Sequence, residues 1–334
     1  MSQHGSDIKP GEPQPRRWKR LAIILAVAIT VIGLGLGLGL GIGLKSGDDD
    51  DGDDDDNNNN DSGTPGGGTN RTTKWAPQVG ASWQIILRYP MELSDSSELT
   101  PDVDVYDLDL YDNPTATFST LQKKGKRVIC YFSAGSYEDY RPDSGDFPEE
   151  DLGKELDGWP GERWLNTSSP KIRDIMAKRI ALANQKGCDA IDPDNVDGFQ
   201  NDNGLDLTAE DSTSFVKFLS AEAAKYKLAV GLKNAGDIIP SVLPDVDFSV
   251  NEQCAQYNEC DTFAAFVDDA KPVFQIEYPK GTPDKLAKSD AEKSCDGTGA
   301  GRFSTVLKKM ELDGWVQYCD GKSYETAVDE EKGH

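Results

Sequence analysis

Residues 21–44 run for 24 positions without a charged side chain, and Thr30 is their one hydroxyl. As a helix such a run crosses the ~30 Å hydrocarbon core of a bilayer. It sets the layout of everything else, because it divides a basic segment from a long acidic remainder. Lys9, Arg16, Arg17, Lys19 and Arg20 precede the run, and only Lys45 follows before residues 46–70 bring nine aspartates and no base. Positive-inside asymmetry then makes 1–20 a cytoplasmic basic tail and puts the rest outside, as a single-pass type II cell-membrane protein with its catalytic or binding domain extracellular. A cleaved signal peptide would show an apolar core of ~7–15 residues and a small-residue cleavage site. The run is longer and no A-x-A follows it, so an uncleaved signal anchor is expected. Residues 45–74, rich in Asp, Asn and Gly, cannot bury apolar surface and read as an extended, self-repelling stalk.

Charge narrows the partners. The chain holds 59 acidic and 35 basic side chains, a net −24. The first 45 residues contribute +4 and residues 46–70 contribute −9, which leaves −19 on the 264 residues beyond. A surface this acidic is unsuited to nucleic acid and suited to a cationic partner. The two histidines, His4 and His334, sit at the chain ends. Ser-His-Asp catalysis, Cys-His catalysis and His-ligated zinc are therefore not expected, and carboxylates must carry any chemistry. Cys130, Cys188, Cys254, Cys260, Cys295 and Cys319 all follow the apolar run. Six cysteines allow fifteen pairings. Cys254–Cys260 would be short-range and Cys295–Cys319 would staple the C-terminal region, leaving Cys130 and Cys188 as a pair or as buried thiols. N-x-S/T acceptors stand at Asn60, Asn70 and Asn166, as in extracellular glycoproteins.

From Trp75 onward short β-rich runs alternate with amphipathic ones. Residues 83–89, 103–111, 127–133, 189–194, 228–233, 248–251 and 273–278 read as strands, with an eighth at 304–307 or 315–318. The clearest helices are 172–185 and 212–226. Alternation over about 250 residues fits an α/β fold of the (β/α)8, TIM-like type, whose active site lies at the C-terminal ends of the strands. No G-x-G-x-x-G opens a helix, so a doubly wound dinucleotide fold is disfavoured. Parity along each strand then assigns faces. Ile191 and Pro193 share one face, so Asp192 and Asp194 point inward. By the same logic Asp107, Asp109, Tyr131, Ser133 and Lys233 point inward. Phe274, Ile276 and Tyr278 are expected to face the helices, leaving Gln275 and Glu277 inside. Glu252 is ambiguous, because it shares parity with Phe248 and Val250.

Crowding those carboxyls at one barrel mouth raises the pKa of some of them. One protonated carboxyl beside one ionised carboxyl is the equipment of glycoside cleavage. A divalent metal on the D-x-D spacings is the rival chemistry. Plainer roles exist for several residues: Asp197-Gly198 is a turn signal, Asp206, Asp211 and Ser212 suit helix caps, and the tryptophans suit core or rim.

Five ordered segments carry a resemblance: Val128-Ile-Cys-Tyr-Phe-Ser-Ala-Gly-Ser136, Gly158-Trp-Pro-Gly-Glu162, Gly187-Cys-Asp-Ala-Ile-Asp-Pro-Asp-Asn-Val-Asp-Gly198, Val230-Gly-Leu-Lys-Asn234 and Asn251-Glu-Gln-Cys254. They resemble glycoside hydrolase family 114, the family of endo-α-1,4-polygalactosaminidases, over roughly residues 75–280. The resemblance implies a (β/α)8 domain over 75–322 with a short tail, 323–334, that cuts within partly de-N-acetylated α-1,4-galactosamine chains. It implies catalysis by Asp194 and Glu252 with neither metal nor cofactor. By analogy with other α-glycosidase barrels, Asp194 is expected as nucleophile and Glu252 as acid/base in a retaining reaction. Members of the family often carry Glu where this chain has Asp192. Substrate contacts are expected from Asp107, Asp109, Tyr131, Asp192, Lys233, Asn251 and Glu277, the acidic ones facing sugar ammonium groups. A non-catalytic surface binder of the same cationic polymer is the alternative.

Overall fold

The computed structural model describes residues 72–297 and 300–333. The expected anchor at 21–44, the basic tail and nearly all of the stalk lie outside them. Among the described residues no helix is long and apolar enough to cross a membrane.

Runs rich in Val, Ile, Phe and Tyr form eight parallel strands: β1 (Trp83–Ile86), β2 (Val105–Asp109), β3 (Arg127–Ser133), β4 (Ala190–Asp194), β5 (Ala229–Lys233), β6 (Phe248–Glu252), β7 (Val273–Glu277) and β8 (Ser304–Leu307). Each pairs with the next in chain order. Two antiparallel strands, β9 (Trp315–Tyr318) and β10 (Ser323–Glu325), extend the sheet beyond β8. Both candidates for the eighth strand are thus strands, and 304–307 is the parallel one. Curling brings β8 round to β1, where side chains make the seam. Trp83 Nε1 donates to the Ser304 carbonyl at 2.7 Å, Ser304 Oγ to the Ala81 carbonyl at 2.7 Å, and Tyr318 OH to the Trp83 carbonyl at 2.9 Å.

The C-terminal hairpin fastens this seam. Gln84 Nε2 donates to the Gly314 carbonyl at 3.1 Å and to Thr326 Oγ1 at 3.2 Å. Met91 forms a bridge with Val328, and the Asp329 N–H donates to the Pro90 carbonyl. The segment expected as a tail, 323–334, therefore begins as the edge strand of the sheet, Ser323–Glu325, and stays bound to the barrel through Thr326, Val328 and Asp329. A three-residue strand lacks the length for a hydrophobic period, so its pairing is not visible in the pattern.

Two apolar layers pack on the strands. Outside, α1 (Thr115–Lys123), α2 (Pro170–Lys186) and α3 (Ala209–Ala224) bury one stripe each. In α2 that stripe is Ile172, Ile175, Met176, Ile180 and Ala183, at helical spacing. Pro170 opens α2 and Gly187, at φ +97°, closes it in the left-handed conformation that glycine adopts at least cost. α3 starts on a reciprocal cap between Thr208 and Asp211 rather than on Asp206. Inside the barrel, Trp83, Ile85, Phe248, Val250, Phe274 and Ile276 form an apolar plug. The interior is filled to contact: a Cβ on Gly231 would sit 2.5 Å from the Phe248 ring.

That plug reverses the expected faces of β7. Phe274 and Ile276 point inward, so Gln275 and Glu277 point to the helix layer. There Gln275 Nε2 faces Cys260 Sγ, and Glu277 Oε1 accepts from the Ala255 N–H at 2.7 Å and from Gln275 Nε2 at 2.8 Å. The same alternation settles β6: Phe248, Val250 and Glu252 face in, and Asn251 faces out beside Gln275. A barrel centre is a packed core in its own right, so an apolar residue does not by itself mark the helix side.

A three-stranded antiparallel flap, built from Ser136–Glu138, Leu152–Leu156 and Trp159–Leu165, lies between β3 and α2. It is fixed to the strand ends by Leu165 N–H on the Gly135 carbonyl and by Ala134 and Gly135 N–H on the Asp194 carbonyl. The cysteines pair as Cys130–Cys188, Cys254–Cys260 and Cys295–Cys319, leaving no free thiol among the described residues. Asn166 is half-buried and its amide donates to Asp151 at 3.0 Å, whereas Asn60 and Asn70 lie outside the described residues.

Candidate active site

The C-terminal ends of β3, β4, β5 and β6 converge on one cation. Lys233, the last residue of β5, is 2% exposed, with Nζ 3.2 Å from Asp194 Oδ2 and 3.5 Å from Glu252 Oε2. Its ammonium also stands over the Tyr131 ring, 5.4 Å from the centroid. Asp194 ends β4; its Oδ2 accepts from Tyr131 OH at 3.0 Å and its Oδ1 from the Asn195 N–H at 2.7 Å. Glu252 ends β6; Tyr278 OH donates to Oε1 at 2.5 Å and Asn234 Nδ2 to Oε2 at 3.1 Å. Asn234 also accepts the Glu252 N–H at 2.9 Å, which fixes the backbone that carries the carboxylate. Both carboxylates keep some exposure, 16% and 24% of the side chain, while the lysine between them keeps almost none. A ligand entering the mouth therefore meets the acids first.

Electrostatics separate the carboxyls by role. Burial alone would raise Glu252, but Lys233 above all, helped by Tyr278 and Asn234, outweighs it and holds the group below the ordinary carboxylate range. Beneath the lysine, Asp192 and Asp107 are fully buried and none of their oxygens has a hydrogen-bond partner among the described residues. Burial drives Asp192 up to about 7 despite Lys233, and it drives Asp107 up with Asp192 as the next cause. Lys233 itself stays firmly protonated, because Asp194, Glu252 and Asp192 together outweigh its own burial.

Of the residues expected at the mouth, Asp194, Glu252, Lys233, Tyr131 and Asp192 come together, with Asp107 below them. Three do not join them. Asp109 is consumed by Arg141, which binds both of its oxygens at 3.1 and 2.7 Å, and by the N–H groups of Tyr111 and Asp112. Glu277 and Asn251 face the helix layer. Asn234 and Asn195 were missed, and Tyr278, expected to face the helices, turns into the mouth onto Glu252; each directly follows a strand that supplied a candidate. Among the described residues no group of three or more His, Cys, Asp or Glu side chains is arranged to hold a metal ion. Trp159, on the flap, is 53% exposed, while Trp83, Trp164 and Trp315 are buried.

A parallel barrel with two carboxyl groups held across its C-terminal mouth is the ground plan of an acid/base glycosidase. The chain belongs to glycoside hydrolase family GH114, whose model matches residues 67–324, and it is a glycoside hydrolase. It is similar to Aspergillus fumigatus Ega3, seen in a crystal structure in complex with galactosamine. Identity is 55% over 75% of this chain and 99% of that one, at a TM-score of 0.70. The fold is shared with the glycoside hydrolase domain of PelA from Pseudomonas aeruginosa, at 14% identity, 74% and 99% coverage and a TM-score of 0.53. A single-residue variant of that domain matches at 13% identity, with the same coverage and a TM-score of 0.55. No curated protein matches the chain.

Proposed function

We propose that the protein is an endo-acting hydrolase of α-1,4-linked, partly de-N-acetylated galactosamine chains, with Asp194 as nucleophile and Glu252 as acid/base. The observation that carries this reading is the lysine shared by the two carboxylates. Its two contacts, 3.2 and 3.5 Å to one nitrogen, keep Asp194 Oδ2 and Glu252 Oε2 within about 6.7 Å of each other, which favours the ~5–5.5 Å spacing of a retaining pair. An inverting pair needs ~6.5–9.5 Å to admit a water. The galactosamine bound by the 55% identical Ega3 supports the sugar, and the acidic surface supports a cationic chain.

In the first half-reaction Asp194 attacks the anomeric carbon as Glu252 gives its proton to the departing glycosidic oxygen. In the second, Glu252 takes a proton from water, whose oxygen displaces Asp194 from the anomeric carbon. Tyr131 OH and the Asn195 N–H orient Asp194 for the attack. Lys233 loses one ionised partner while the ester exists and keeps Glu252 ionised for its work as base. The first half-reaction runs from the less populated protonated form of Glu252, which favours an acidic optimum. We place the enzyme at the cell surface, held by residues 21–44 as a type II anchor with the barrel domain outside.

The test is mass spectrometry of products from partly deacetylated α-1,4-galactosamine polymer, with Asp194→Asn and Glu252→Gln alongside. Short oligomers from wild type alone are expected. Turnover retained by both folded variants refutes the residue roles, and no products from wild type refutes the substrate.

A further inference from the structure

A small cluster of polar side chains beside Asp194 has every one of its hydrogens committed. Asn195 Nδ2 donates to Ser133 Oγ at 2.9 Å and to Ser136 Oγ at 3.0 Å, which uses both amide hydrogens. Ser136 Oγ donates to Glu162 Oε2 at 3.1 Å. Its one hydrogen is spent there, so Ser133 is the donor in the 2.5 Å contact between the two serines. Both serines are fully buried. The cluster joins the end of β3, the first strand of the flap and the residue after β4, and the reaction above gives it no part.

The backbone is clamped at the same place. Asn195 is left-handed at φ +61°, a conformation that Asn tolerates better than most residues. The Asp194 carbonyl accepts from the N–H groups of Ala134 and Gly135 at 2.9 and 3.0 Å, and the Ser133 carbonyl from Arg179 Nη1 at 2.6 Å. Gly135 passes so close that a Cβ there would lie 1.8 Å from the Asn195 carbonyl oxygen. Position 195 thus needs a left-handed backbone and an amide side chain together. Glycine offers the first, asparagine both. The peptide held in this way is the one whose N–H grips Asp194 Oδ1 at 2.7 Å. Oδ2 meets Tyr131 OH at 3.0 Å and the Lys233 ammonium at 3.2 Å, which leaves Oδ1 the less engaged oxygen.

We propose that Asn195 is the positioning residue of the nucleophile: anchored on Ser133 and Ser136, its side chain locks the 194–195 peptide and so presents Asp194 Oδ1 to the anomeric carbon. This rests on Asp194 being the nucleophile. Tyr131 and Lys233 hold Oδ2, and the hydrogen bond to Oδ1 stops the carboxylate from pivoting about that anchor. A reacting atom misplaced by about 1 Å costs about 100-fold in rate, so the lock bears on the chemical step rather than on binding.

Asn195→Gly keeps the left-handed backbone and removes the anchor, with circular dichroism to confirm the fold. The substrate is an aryl α-glycoside of a short galactosamine oligomer whose leaving group departs without a proton from Glu252, so aryl release in the first turnover reads the attack of Asp194. Asn195→Gly should slow that release about 10- to 100-fold with KM within about twofold of wild type, and Ser133→Ala should slow it less. A folded Asn195→Gly at the wild-type rate, or one altered only in KM, overturns the proposal; with Asp194→Asn inactive beside it, the nucleophile reading stands. Release retained by Asp194→Asn, or absent from wild type, removes that reading and this proposal together. Should Asn195→Gly not fold, Ser133→Ala and Ser136→Ala report on the same anchor. A slower release at unchanged KM in either supports the proposal, and wild-type rates in both overturn it.

Discussion

Replacing Lys233 by methionine keeps a long, unbranched side chain in a pocket where the lysine is 2% exposed, and deletes the one charge that Asp194 and Glu252 share. The two carboxylates are then left facing each other within about 6.7 Å, where at an effective dielectric of about 20 their repulsion is at least about 2.5 kcal/mol, equivalent to about 2 pH units. The attraction of Lys233 for Glu252, across 3.5 Å, is lost as well. Tyr278 and Asn234 remain to favour the ionised form, but the loss of the cation should raise Glu252 from its present depressed value. The basic limb of kcat/KM follows the general acid of the free enzyme. In Lys233→Met that limb should move up by at least about 2 pH units, with a lower maximal rate. The assay is kcat/KM from reducing-end release between pH 3 and pH 8 at constant ionic strength, with circular dichroism to confirm the fold. A folded variant whose basic limb stays within about half a unit of wild type would refute the idea that this lysine governs the state of Glu252.

Three further outcomes concern the scaffold. Gly231→Ala puts a methyl 2.5 Å from the Phe248 ring and should cost about 1–3 kcal/mol, read as a lower denaturant midpoint with an unchanged slope. Removing Cys130 and Cys188 together opens a 58-residue loop and should cost about 4 kcal/mol of stability, or roughly 8–16 °C of melting temperature. Lys308 is fully buried, with Gln84 Oε1 and the Asp313 carbonyl as acceptors, and burial brings it down to about 7. The folded state therefore binds fewer protons than the unfolded one above that value, so stability should rise with pH from about 7 towards 10. Lys308→Met should flatten that rise; an equal slope in both proteins would contradict it.

Alternation assigned β4 correctly because its apolar members, Ile191 and Pro193, do belong to the helix side, which leaves Asp192 and Asp194 inside. It failed at β7 for a physical reason. Phe274 and Ile276 fill the barrel centre, while Gln275 and Glu277 are buried outside by hydrogen bonds that no residue pattern announces. Glu252 could not be placed from parity, since its companions Phe248 and Val250 suit either layer. The resemblance to a family pointed to it, and the hydrogen bonds of Asn234 and Tyr278 fix its position. The flap was illegible: Leu152–Leu156 is exposed through much of its length, and Ser136–Glu138 is three residues long.

The seam between β8 and β1 has a consequence for how the protein comes to exist. Gln84 and Thr326, which fasten it, are separated by 242 positions in the chain. While the polypeptide is being made, β1 to β8 can pair in order as each emerges, but the seam stays open until Ser304 and Tyr318 have arrived, and its last fastening waits for Thr326. Until then β1 presents an unpaired edge, the kind of surface on which partly made chains stick to one another. Residues 323–329 are therefore the latch of the barrel. A stop codon or a protease cut just before them would leave the ring held by Ser304, Gly314 and Tyr318, without the fastenings of Thr326 and Asp329.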